Sequence, residues 1–265
     1  MKISILSLFI VLFTLVSCQN DSNKAAQTFQ NKGHELVYES IQKVGNYDKL
    51  SKLKDVVYTY TYTTPDNQQD ISTEKYIFES ESSYASYKKH ERTLPDLEGE
   101  IEQGFDGENF WLRHKGKYIQ NEAAIKRVIF NRKTNFYWFA MFQKLLDPGL
   151  QYKYIKQQAA NGNTYDVVDV TFDSDKPSDI YRLYINQKTK LIDQFIFTVV
   201  DFGVVEEPFL MKMDYEEING LLIPTKRQYI KADWEGNVLG EKWINVQWTD
   251  IKFNNGLSKE LFKKS

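Results

Sequence analysis

Alternation is the feature that most constrains this chain. In the stretch KDVVYTYTYTT (54–64), Val56, Tyr58, Tyr60 and Tyr62 fall on one side of an extended backbone and Val57, Thr59, Thr61 and Thr63 on the other, because successive side chains of a strand point to opposite faces. The same period of two, or a short apolar run, recurs over 73–79, 84–91, 100–105, 110–114, 152–157, 165–172, 180–186, 191–200, 209–218, 221–232 and 238–253. Turn residues punctuate these segments: Pro65-Asp66-Asn67, Asp106-Gly107, Asn161-Gly162, Asn186 to Thr189, Asn219-Gly220 and Glu235-Gly236-Asn237. Roughly a dozen strands with hairpin-length links predict one mainly β, antiparallel meander, not β-α-β units and a parallel sheet.

Two segments depart from this period. Val37, Ile41 and Val44 recur at helical spacing before Gly45-Asn46, which predicts a short amphipathic helix over about 33–45. The second runs from Glu122 to Leu146 (EAAIKRVIFNRKTNFYWFAMFQKLL) and is closed by Asp147-Pro148-Gly149, a helix stop. Ile125, Val128 and Ile129 form a stripe in its first half, but 135–142 is apolar almost all round. Such a segment must be covered, by the sheet, by a ligand or by a membrane surface.

Composition removes several functions. A net charge of −2 (34 Lys+Arg against 36 Asp+Glu) offers no basic field for a polyphosphate backbone, so no nucleic-acid partner is expected. The single cysteine cannot form an intramolecular disulfide or a cysteine-rich zinc site. His34, His90 and His114 fall in no metal-ligand spacing, no G-x-S-x-G elbow or phosphate-binding glycine loop occurs, and Asp106 and Glu108 suit turn chemistry. No cofactor, no metal and no catalytic residue is expected, and the chain is expected to be a monomer.

The amino end reads as an export signal: Met1-Lys2, then an uncharged apolar run over 3–16. That run is shorter than the about 20 residues a spanning helix needs. It ends in Leu15-Val16-Ser17-Cys18, which resembles the lipobox of bacterial lipoproteins. The resemblance implies a signal peptide over 1–17 and an acylated Cys18 that joins the chain to a membrane. A polar, flexible tether over 18–32 and one domain over 33–265 would follow. Gln19 in place of Asp points to the outer membrane facing the periplasm, with surface exposure left open by Asp21. An ordinary secretory signal ending near Ser17, with a free thiol behind it, is the alternative.

Five stretches carry a wider resemblance: GFDGENFW (104–111), FYWFAMFQKLLDPG (136–149), TYDVVDVTF (164–172), DIYRLYINQKTKLIDQFIF (179–197) and DYEEINGLLIPTKRQYI (214–230). With the short N-terminal helix and the meander, they resemble the LolA-like lipoprotein-carrier superfamily, and more narrowly a family of exported bacterial lipoproteins of unassigned function. The resemblance covers nearly all of the mature chain. It implies an open, strongly curved half-barrel whose concave apolar face is covered by short helices and whose relatives hold acyl chains there. The cavity candidates are then Tyr58, Tyr60, Tyr62, Phe136, Trp138, Phe139 and Phe142, each of which also has a plain reading as core. The receptor branch of that superfamily presents a protruding apolar loop. Its counterpart here is Val204, Val205, Phe209 and Leu210, interrupted by Glu206 and Glu207 and equally readable as a strand connection. The expected function is non-enzymatic binding of a lipid, acyl chain, lipidated protein or other apolar ligand in the cell envelope. A structural or interaction lipoprotein with a filled core is the alternative, and an envelope hydrolase a third reading.

Overall fold

The computed structural model describes residues 27–175 and 177–264, so Cys18 and the expected signal segment lie outside the described residues. Two helices come first, α1 (Lys32–Val44) and α2 (Tyr47–Ser51), followed by six strands: β1 (Asp55–Thr63), β2 (Gln69–Ile77), β3 (Ser82–His90), β4 (Ile101–Phe105), β5 (Phe110–His114) and β6 (Lys117–Ile119). The long helix α3 (Glu122–Lys144) intervenes. Seven more strands complete the chain: β7 (Leu150–Ala160), β8 (Asn163–Phe172), β9 (Tyr181–Asn186), β10 (Ile192–Val199), β11 (Val204–Ile218), β12 (Leu221–Lys231) and β13 (Ile244–Phe253).

All thirteen strands form one antiparallel sheet in the order β6-β5-β4-β3-β2-β1-β13-β12-β11-β10-β9-β8-β7. Each half is a simple meander, and the two join where β1 pairs with β13, Val56 opposite Phe253 and Tyr62 opposite Val246. The sheet is not closed: β6 and β7 are its edges, and α3 is the connection that runs from one edge to the other. An open antiparallel sheet of this width needs a filler on its concave side. Helix α3 supplies it, together with α1, which packs on β7, β8, β9 and β12. The expected mainly β half-barrel with helices on its concave face is the observed architecture, although the aromatic insert is one helix of 23 residues and not a short one.

Local chemistry sets the elements. Asn31 caps α1 by accepting from the Gly33 and His34 N–H groups at 2.8 and 3.2 Å, and α1 buries Leu36, Val37, Ile41 and Val44. It ends at Gly45, whose φ of 98° suits glycine and whose missing Cβ leaves room for the Leu221 side chain. Residues 29–31, placed in the tether by their polarity, are part of the fold. The Asn31 amide donates to the Tyr152 carbonyl at 2.8 Å, and Phe29 packs edge-on against His34. Several boundaries also differ from the expected ones, and one strand was not expected. The three-residue strand β6 is too short for periodicity to reveal, and the expected strand over 238–253 begins only at Ile244. In the segment before it Val238 pairs with Ala232, and Val238 and Leu239 are exposed.

The main core lies between α1, α3 and the concave face of the sheet. On the convex face, Tyr165, Tyr184, Ile196 and Leu210 pack with Trp234 of the β12–β13 connection. The C-terminal segment covers Ile77, Tyr84 and Trp111 with Phe262. That segment is tied down by Asp55, whose carboxylate accepts from Asn255 N–H at 2.6 Å, the Asn255 amide at 2.9 Å and Leu257 N–H at 3.0 Å. The Trp111 indole adds a bond to the Phe262 carbonyl at 2.7 Å. Every described element thus belongs to one sheet or its coverings.

Candidate ligand cavity

Helix α3 meets the sheet through two kinds of contact. Its second half is apolar: Phe139 stacks on Tyr58 with ring centroids 5.0 Å apart and packs against Trp248 at 5.3 Å, while Phe142 meets Phe195 and Tyr215 at 6.4 and 6.0 Å. Its middle is polar and equally buried. The Arg132 guanidinium donates to both Glu74 oxygens, at 2.6 and 3.1 Å, and to the Gln103 side chain at 3.3 Å. Both side chains of this ion pair have 0% exposure, so water does not screen it. Glu74 also accepts from Ser72 at 2.8 Å, Tyr76 at 2.9 Å and Asn135 at 3.2 Å, and Tyr76 shares a hydrogen bond with Tyr58 at 2.9 Å. Burial alone would lower the Arg132 pKa, but Glu74 beside it outweighs that and holds the guanidinium above its ordinary value. One face of α3 is therefore fixed to β2 at a single point.

A second buried arginine has no such partner. Arg227 on β12 donates to the carbonyls of Pro224 at 3.2 Å and Trp138 at 2.7 Å, and its guanidinium lies 4.2 Å from the centre of the Trp248 ring. With no carboxylate beside it, burial pushes its pKa down to about 10. The contact with Trp138 fixes the backbone of α3 at the point where the helix leaves part of the concave face unfilled.

Two cavities remain there. One, of about 470 Å³, is bordered by Phe136, Tyr137 and Trp138 of α3 and by Phe172, Tyr181 and Phe197 of the sheet. The other, of about 340 Å³, is bordered by Tyr60, Tyr62, Phe130, Trp138, Phe197, Phe209 and Tyr229, with Arg92 and Arg127 also in its wall. They share Phe130, Thr134, Trp138, Phe197 and Val199, so they are neighbouring lobes on either side of a common wall. Both volumes fall in the range of small-ligand sites, roughly 300–1,000 Å³.

The cavity candidates from the sequence are thus divided. Tyr60, Tyr62, Phe136 and Trp138 border the lobes. Tyr58, Phe139 and Phe142 are packed against other side chains in the closed core. Phe197, Phe130, Tyr229 and the two arginines were not singled out. The alternation of 191–200 and 221–232 carries Phe197 and Tyr229 but does not say which face is the concave one. The four loop candidates lie inside β11, which begins at Val204. Phe209 and Val204 border the smaller lobe, Leu210 is buried on the convex side and Val205 is exposed. The turn that protrudes is the preceding one, Val200 to Phe202, where Phe202 is 51% exposed and rests edge-on against Phe130 at 4.6 Å.

Among the described residues no group of three His, Cys, Asp or Glu side chains gathers to hold a metal ion. His90 bonds the carbonyls of Thr93 and Gly99, His114 that of Glu98, and His34 stacks on Tyr152. Asp106 caps its own turn through the N–H groups of Glu108 and Asn109. Among the described residues no helix is long and apolar enough to cross a membrane.

Comparison with known proteins finds likeness in structure only. No protein-family model matches the sequence, and no curated protein does. Among solved structures, a DUF1329 family protein from Desulfovibrio piger superposes with a TM-score of 0.51 at 12% identity, over 87% of this chain and 95% of that one. A domain from Vibrio parahaemolyticus named for outer membrane lipoprotein sorting gives 0.51 at 10% identity, over 88% and 96%. A LolA superfamily protein from Nitrosomonas europaea gives 0.48 at 14% identity, over 85% and 97%. The expected fold, an open half-barrel, is thus shared with the Desulfovibrio and Vibrio structures.

Proposed function

We propose that this protein binds a single apolar or acyl-bearing molecule in the two-lobed cavity between α3 and the concave face of the sheet, and that it does so as a lipid-anchored protein of the cell envelope. The observation that carries the reading is the pair of aromatic-walled lobes left beside Trp138 in a half-barrel that is otherwise filled. Each CH₂ moved from water into such a wall contributes about 0.8 kcal/mol, so a chain of ordinary length binds without any polar contact. The sorting role in the name of the Vibrio relative supports a carrier or receptor role for the same cavity.

The anchor fits the geometry. Gln30 and Asn31 reach the carbonyls of Leu150 and Tyr152 at the start of β7. Through the pairings Leu150–Phe172, Val170–Tyr181, Tyr181–Phe197 and Phe197–Phe209, that is the same end of the sheet as Phe202 and the smaller lobe. From Cys18 the chain to Gln30 spans at most about 40 Å when extended. An acylated Cys18 would therefore keep that end of the molecule near the outer membrane, facing the periplasm.

Mass spectrometry of the chain from Gln19 onward, which keeps every described residue, is expected to find co-purified apolar molecules. A bound fluorescent acyl probe is expected to be lost from Trp138→Ala at unchanged circular dichroism. A wild-type chain that binds no acyl probe would refute the reading. Replacing Cys18 by Ala is expected to release the protein from the membrane fraction or to leave its precursor uncleaved, and unchanged membrane retention would refute the anchor.

A further inference from the structure

We infer that the smaller lobe is a headgroup site, and that the ligand is a single-chain amphiphile ending in an anionic oxygen group, a carboxylate or a phosphate, received by Arg92 and Arg127. The inference rests on the cavity reading above and narrows it to a chemical class.

The lobe's wall contains two guanidiniums and no carboxylate. The carboxylate that meets them, Asp70, is already occupied. It lies 3.1 Å from the outer nitrogen of Arg92 and accepts from the Arg92 N–H at 2.9 Å, the Thr93 N–H at 3.2 Å and the Thr93 hydroxyl at 2.7 Å. That pairing uses one side of Arg92 and leaves its Nε buried with no hydrogen-bond partner. Arg127 has no hydrogen bond or ion pair among the described residues, only the face of Phe202 at 5.4 Å. Burial and the neighbouring Arg92 lower its pKa by more than the charge of Asp70 raises it. A half-buried cation without a bonded anion is costly, and an anion held in the lobe that both guanidiniums line would relieve that cost. Guanidiniums receive carboxylate and phosphate oxygens in paired, charge-assisted bonds.

The rest of the wall fixes what is attached to that anion. Tyr62, Trp138, Phe197, Phe209 and Tyr229 continue from the arginines toward the shared wall and the larger lobe, a path for an apolar chain. Arg132, close by on the same helix, is neutralised by Glu74 and closed to solvent, so it does not compete for the headgroup.

The test compares palmitate and lysophosphatidate with their neutral counterparts, methyl palmitate and monopalmitoylglycerol, by displacement of a fluorescent acyl probe from the chain begun at Gln19. Wild type is expected to prefer each acid over its neutral counterpart, and the stronger of the two acids identifies the headgroup. Arg127→Gln is expected to shrink that preference by about tenfold, the factor that 1.4 kcal/mol gives. The double change Arg92→Gln with Asp70→Asn, which leaves no unpaired carboxylate behind, is expected to do the same. Lys126→Gln, an exposed charge on the same helix, is the control for net charge and is expected to leave the preference intact. Equal binding of acids and neutral counterparts by wild type, or an undiminished preference in both arginine variants, would overturn the headgroup site while leaving the apolar cavity standing. Failure of all four compounds to bind would overturn both.

Discussion

Replacing Glu74 by Gln tests the contact that fixes α3 to the sheet. The substitution keeps the shape of the side chain and removes its charge, so the fully buried Arg132 is left without a counter-ion. One oxygen also becomes an amide that can no longer accept, although Glu74 takes bonds from Arg132, Ser72, Tyr76 and Asn135. Breaking a buried ion pair from one side costs about 3–5 kcal/mol, a fifth or more of a typical total of about 5–15 kcal/mol. At about 2–4 °C per kcal/mol for a chain of this size, the melting temperature is expected to fall by about 6–20 °C. Arg132→Met is expected to cost less, because the abandoned carboxylate keeps the Ser72, Tyr76 and Asn135 donors. The double variant Glu74→Leu with Arg132→Met is expected to recover most of the loss, since an apolar pair of similar volume avoids burying either charge. With Glu74→Leu added as the matching single variant, urea unfolding of it, of Arg132→Met and of their combination closes a double-mutant cycle. A loss below about 1 kcal/mol for Glu74→Gln, the range of an exposed pair, would refute the reasoning. So would a double variant as unstable as the two single losses added together.

Three further expectations concern the coverings of the sheet. Burial pushes the Asp55 carboxyl up, but the Leu257 and Asn255 N–H groups and the Asn255 amide outweigh it and hold it below its ordinary 3.8. Its contribution is therefore complete above that value and is lost as pH falls through the lower folded value, so hydrogen exchange at Leu257 should accelerate under acid well before β1 opens. Asp55→Ala should release the same segment at neutral pH, at a cost of about 1–3 kcal/mol by chemical denaturation. Gly104→Ala should cost about 1–3 kcal/mol, because the Trp111 ring occupies the place of the added methyl, and indole fluorescence should report the displaced ring.

Much of the fold was legible because a half-buried sheet writes itself as a period of two. The tyrosines at 58, 60 and 62 share one face in the sequence and in the structure, and Asn219-Gly220 turns the chain between β11 and β12. The polar heart of the concave face was not legible. Asp70, Ser72 and Glu74 lie on the same face of β2 as Tyr76, and a mixed face of this kind averages to no clear polarity. Parity from Tyr76 puts Glu74 on the buried side, a signal that takes its meaning from the partner on α3. Arg132 and Arg127 lie in a helical stretch that reads as an ordinary charged face, and the sequence does not say how far that helix rotates. The 204–210 segment resembles a protruding loop through Val204, Val205, Phe209 and Leu210, and Glu206 and Glu207 are the residues that speak against that match. Both are exposed on a strand whose buried positions run only from Pro208 to Met213.

The seam between β1 and β13 has a consequence for the order in which the chain can fold. Every other pairing in the sheet is a hairpin or a neighbour in sequence, so either meander can form while only its own part of the chain is present. The seam joins Val56 to Phe253, across nearly the whole length of the folded unit, and closing so long a loop is slow relative to local pairing. Until the last strand arrives, β1 presents an unpaired edge carrying Tyr58, Tyr60 and Tyr62. The strand made last is thus the one that protects the strand made first, and a chain delivered amino end first must keep that edge from other partners until delivery is complete.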